Sequence, residues 1–150
     1  MLLRTHLVFS VFLYFLLIEY LSFSFVFVAF VLFGTMFVDI DSRKSKFGKF
    51  FLFRPLQWFV SHRGAFHTLL GGMVLSGLIY FFNKNAGMGF GFGYLSHLFL
   101  DMLTVQGIAL FRPLTKKKIG FGLRTGGLIE EIIFVLLLLA DVYLFFRVVF

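Results

Sequence analysis

Apolar residues run along this chain in long blocks, and short charged stretches separate them. LVFSVFLYFLLI occupies 7–18 and is ended by Glu19; LSFSFVFVAFVLFGTMFV follows at 21–38. A third block runs from about 65 to 83, a fourth from about 88 to 111 and a fifth from 128 to 150, with NKNAG at 83–87 as the turn between the third and fourth. A bilayer-spanning helix needs roughly 20 predominantly apolar residues. The blocks therefore predict an all-α, polytopic membrane helical bundle of about five transmembrane helices, forming a single domain over 1–150. The first two blocks read as a tight hairpin with Glu19 and Tyr20 at an interface. Between the second and third blocks, 39–64 is polar and basic yet carries Phe50, Phe51, Phe53, Trp58 and Phe59. That mixture predicts an amphipathic segment lying in the headgroup layer at about 47–60. Arg4 precedes the first block as in a signal peptide, but no A-x-A-like cleavage site follows, so the block is expected to stay as a helix.

Composition agrees with the pattern. The chain is 60% hydrophobic with 26 phenylalanines, and its mean hydropathy of +0.98 lies outside the range of a water-soluble globule. Cysteine is absent, which excludes disulfides, thiolate metal sites and cysteine nucleophiles. The net charge of +7 sits in the loops: six cations in 39–64 (Arg43, Lys44, Lys46, Lys49, Arg54, Arg63) and five in 112–127 (Arg112, Lys116, Lys117, Lys118, Arg124). Five spans put both loops and Arg4 on one side, leaving Lys84 and Arg147 for the other. By the positive-inside rule the N-terminus and both large loops are cytoplasmic, in the inner membrane. Those loops interleave lysine with phenylalanine and carry no nucleic-acid motif, so their expected partner is anionic lipid. Gly71, Gly72, Gly77, Gly89, Gly91 and Gly93 suit close helix packing in lipid.

The groups that dislike hydrocarbon converge in this topology. His6 starts the first span, Asp39 and Asp41 end the second, and His62 and His67 in HRGAFHT (62–68) open the third. Asp101 lies in the cytoplasmic half of the fourth with His97 one turn deeper, and Glu130 and Glu131 open the fifth. All four histidines and most carboxylates thus fall at one depth on one side. His97 and Asp101, four apart, share a helix face. An ionisable group inside a span costs ~2.5–3.5 kcal/mol on insertion scales, so the pair is expected to face the bundle interior and meet partners. Imidazoles and carboxylates gathered this way are a ligand set for zinc foremost, with manganese or iron next, as one or two ions. Arg63 beside them suits a phosphate or another oxyanion. Glu131, Glu19 and Asp141 read as interfacial or packing residues. H-E-x-x-H, G-x-S-x-G and phosphate-cradling glycine loops are all missing.

An early histidine, D-x-D ending a span, HRGAFHT and GYLSHLFLDMLTVQGIALFRPL (93–114) together resemble the YdjM-like family, also called LexA-binding. Its members are inner-membrane proteins described as membrane-bound metal-dependent hydrolases. The resemblance covers most of the chain in order and implies a metal site built from His6, Asp39, Asp41, His62, His67, His97 and Asp101. RTGGLIE (124–130) is similar to a later family motif and implies Glu130, rather than Glu131, as an outer member. Val38 and Ser42 stand where the family often has proline and histidine, and Gly127 where serine is common.

The expected function is a metal-dependent hydrolase at the cytoplasmic leaflet, with Asp101, Asp41 or Glu130 as general base and Arg63 on the substrate's oxyanion. The depth of the site points to an amphiphilic substrate, first the ester or phosphoester of a lipid headgroup. The alternatives are a non-enzymatic ion- or proton-coupled transporter using His97 and Asp101, and a scaffold in which a metal is structural.

Overall fold

The computed structural model describes residues 1–20, 24–41 and 65–150. The fold is all-α. Five helices appear among these residues: α1 (Leu3–Leu16), α2 (Phe25–Phe37), α3 (Leu69–Phe82), α4 (Lys84–Met102) and α5 (Leu128–Val149). Short 3-10 turns, Val38–Asp41 and Ala65–His67, follow α2 and precede α3. The expected amphipathic segment at 47–60, together with His62 and Arg63, lies outside the described residues.

α3 and α4 are shorter than their apolar blocks, and local chemistry accounts for the difference. Thr68 caps α3: its side chain accepts from Gly71 N–H at 3.0 Å, so the helix starts at Leu69 and not at 65. The NKNAG turn contracts to Asn83, whose side chain accepts from Ala86 N–H at 2.9 Å and starts α4 at once. α4 stops at Met102, well short of 111, because the chain folds back into a hook. Val105 N–H donates to Leu123 at 2.9 Å, and Ile108 and Ile119 exchange backbone hydrogen bonds at 3.0 and 2.9 Å. Gly107, at φ +55, makes that reversal, and a side chain there would meet the Ile119 carbonyl. Among the described residues only α5, with 22 residues, is both long and apolar enough to cross a bilayer unaided. α1, α3 and the stretch Phe25–Ile40 are shorter apolar helices.

α4 is the central post. Phe90, Tyr94 and Leu98 on it pack with Val38 and with Ile108 of the hook as the main buried cluster. The contact of α4 with α2 is backbone against backbone: Cβ atoms at Gly89 and Gly93 would run into the Phe27 and Val31 carbonyls, and one at Gly34 into Phe90 O. Thr35 sits in this seam, donating to Val31 O at 2.9 Å and to Gly93 O at 3.2 Å. Gly72 receives the Tyr94 ring, and Gly91 lies against Ser76. Gly77 differs from expectation, since nothing lies within 4 Å of its would-be side chain.

α1 runs parallel to α5, its start held by Glu130 and its end near Arg147, which lies 3.8 Å from Glu19. The outer surface of α5 is apolar and exposed, including Leu136, Leu139 and Val142, as a lipid-facing helix requires.

Candidate metal centre

Each helix delivers its polar group by a different local device. The α2–α4 glycine seam brings the Thr35 carbonyl to His97 Nδ1 at 2.8 Å. A carbonyl only accepts, so this nitrogen carries the proton and Nε2 is left with its lone pair. His97 Nε2 is buried and has no hydrogen-bond partner among the described residues. Tyr94 O–H donates to the Phe66 carbonyl, holding the turn that carries His67. Asp39 stands on the turn ending α2, and His6 comes from the first turns of α1.

These groups meet around Asp101. Its Oδ1 lies 3.4 Å from His6 Nε2 and 2.9 Å from the Met1 amine; its Oδ2 lies 3.6 Å from His67 Nε2 and 3.7 Å from His97 Nε2. Asp39 Oδ1 lies 3.9 Å from His67 Nε2 and 3.8 Å from His97 Nε2. The imidazoles of His6 and His97 stack with centroids 3.8 Å apart and planes 9° from parallel. His6, His67 and His97 are each 1% exposed or less, and Asp101 3%.

The donor set fits a metal ion. Two overlapping groups, His6–His97–Asp101 and Asp39–His67–His97, each offer ligand atoms within 4.8 Å of one another, and His97 belongs to both. Most of the nitrogen–oxygen separations exceed a hydrogen bond. Around zinc, with ligand distances of 2.0–2.1 Å, neighbouring tetrahedral donors stand roughly 3.4 Å apart, close to the 3.4–3.9 Å between the imidazole nitrogens and carboxylate oxygens here. Two carboxylates also supply the charge to balance a divalent cation.

Of the expected ligands, His6, Asp39, His67, His97 and Asp101 come together. The backbone of Asp41 closes the turn after α2, and its side chain, like His62 and Arg63, lies outside the described part. Glu130 stands outside both groups. It is 2% exposed, and its Oε1 accepts from Leu2 N–H at 2.6 Å and Thr5 Oγ1 at 2.9 Å while Oε2 accepts from Gly126 N–H at 2.7 Å. Its neighbour Glu131 pairs with Arg4 at the surface. The Thr35 carbonyl, which orients His97, escaped the sequence reading; the small-residue pairs at 34–35 and on α4 were the available signal. Tyr14 was also missed as a polar feature, and Asp141 was read only as an interfacial or packing residue. Both are buried, and Asp141 Oδ1 and the Tyr14 hydroxyl have no hydrogen-bond partner among the described residues.

An all-α membrane protein with a buried His/Asp nest is the class these observations define. The chain belongs to the YdjM inner membrane protein family, which it matches over residues 1–149. It is 32% identical over 118 residues to YvsG, an uncharacterized protein of Bacillus subtilis, covering 75% of this chain and 74% of that one. It is 36% identical over 84 residues to the inner membrane protein YdjM of Escherichia coli, covering 50% of this chain and 43% of that protein. The Shigella flexneri YdjM gives the same figures. No solved structure matches.

Proposed function

We propose that this chain is a multi-pass, membrane-embedded metal-dependent hydrolase whose site opens to the cytoplasmic leaflet and acts on an ester or phosphoester of a lipid or other amphiphile. The observation that carries the reading is the set Asp39, His67, His97 and Asp101, with imidazole–carboxylate separations of 3.6–3.9 Å and one imidazole already fixed in its metal-binding tautomer by Thr35.

These four would hold the ion, with His6 and Asp101 as the edge of a second position. A divalent ion there supplies Lewis acidity toward a carbonyl or phosphoryl oxygen and lowers the pKa of water. Asp101 is the favoured general base, because its two oxygens face different imidazoles and one can take a proton while the other stays engaged. Asp41 is the other candidate base, and Arg63 the candidate oxyanion contact, on sequence grounds. Glu130, its oxygens filled by three donors, acts as a positioning residue for the α1 start that carries His6.

Elemental analysis of gently purified, metal-supplemented protein tests this first. About one to two ions per chain are expected, zinc foremost, and His67→Ala or Asp101→Ala should remove metal together with ester or phosphoester hydrolysis. Folded protein that stays metal-free would overturn the proposal.

One observation favours a second reading, an ion- or proton-coupled carrier. His6, Ser10 and Tyr14 repeat every four residues along one buried face of α1, and Asp141 is buried on the parallel α5, far along from Glu130. That is a polar path running away from the nest. Proton flux in proteoliposomes lost in Asp141→Asn, without hydrolysis by the parent, would establish this reading instead.

A further inference from the structure

The start of α3 and the hook after α4 enclose an apolar groove of about 300 Å³ between Leu69, Met73, Leu110 and Phe111. Leu69 N–H donates to the Leu110 carbonyl at 2.9 Å, tying the two sides together. The groove begins two residues after His67. Its volume is at the small end of ligand sites, and Arg112 is the one charged residue lining it.

Any apolar groove in a membrane protein meets lipid chains, so selection has to come from charge. Arg112 forms no ion pair among the described residues, whose surface carboxylates Glu131 and Glu19 are engaged by Arg4 and Arg147. Lys116, Lys117 and Lys118 follow it, all exposed. Arg112 therefore faces the acyl-sized groove with no ion-pair partner among the described residues, and three exposed lysines follow it closely along the chain. A guanidinium fork matches a phosphodiester's oxygens, and lysines add attraction to an anionic surface.

We propose that this groove seats an acyl chain of an anionic phospholipid, with its phosphate held by Arg112 and the neighbouring lysines. This deepens the hydrolase reading and rests on it for substrate class: the lipid delivered to the His/Asp nest is an anionic glycerophospholipid.

Native mass spectrometry of the full chain, released from micelles containing phosphatidylglycerol and phosphatidylcholine in equal amounts, is the test. The parent should retain phosphatidylglycerol preferentially. Arg112→Gln should lower that preference about fivefold, the contribution of one basic residue near a charged surface. Met73→Trp, which fills the groove, should lower retention of both lipids while the thermal midpoint stays unchanged. Asp101→Ala should lose metal and keep the preference, since the groove does not depend on the nest. Equal retention of the two lipids by the parent, or an unchanged preference in Arg112→Gln, overturns the proposal. A parent that selects phosphatidylglycerol but takes up no metal retires the hydrolase reading and leaves the groove standing as a lipid site.

Discussion

Asp101 divides its oxygens between His6 on one side and His67 with His97 on the other, and that division ranks the variants. Asp101→Asn keeps the shape but removes a charge from the His6–His97–Asp101 group and from the proposed set of four ligands, so bound metal should fall at least tenfold by elemental analysis, in line with losing an anionic ligand. His6→Ala touches one group only and should leave the ion held by Asp39, His67 and His97. Retention of metal by Asp101→Asn and its loss in His6→Ala would reverse the assignment. Glu130→Ala strands three donors from Leu2, Thr5 and Gly126, and should destabilise the protein by about 2–3 kcal/mol in denaturant titration. His97 and Asp101 were legible because their spacing of four puts them on one face and hydrocarbon forbids leaving them alone. The use made of Glu130 was not, because its partners include backbone groups that no residue type advertises.

At the scale of elements, the α2–α4 seam does the positioning. Gly93→Ala would drive a methyl into the Val31 carbonyl, part the helices and withdraw Thr35 from His97. A loss of about 1–3 kcal/mol is expected from such overpacking, and the metal content should drop even though no ligand changes. Gly77→Ala is the control: with nothing within 4 Å it should raise the thermal midpoint, since alanine favours a helix by about 0.8–1 kcal/mol over glycine. A neutral Gly93→Ala, measured by metal content and midpoint together, would show the seam to be slack. The apolar blocks revealed that these helices exist but overstated the length of α3 and α4. Thr68 and the hook at 103–123 end helices through side-chain caps and long-range backbone pairing, and hydropathy registers neither.

For the whole molecule, the family and the all-α class were readable from composition and ordered motifs, while the number of crossings was expected from block count alone. Among the described residues only α5 is both long and apolar enough to cross unaided, so in a five-span arrangement α1 to α4 would need one another, or a locally thinned bilayer, to span. The chain has no cysteine, which makes single-cysteine labelling clean. Lys117→Cys should react with a membrane-impermeant maleimide only when the cytoplasmic face is open, and Lys84→Cys only from the opposite side. Labelling of both from one face would refute the five-span arrangement.

The clasp between the first turn of α1 and Glu130 also orders events during biogenesis. His6 is synthesised well before the carboxylate that secures its helix, which arrives some 125 residues later. Until then the His6–His97–Asp101 group lacks the clasp that positions His6. On the metal reading, a nascent chain halted before α5 should hold an ion at Asp39, His67 and His97 but not at the position that needs His6.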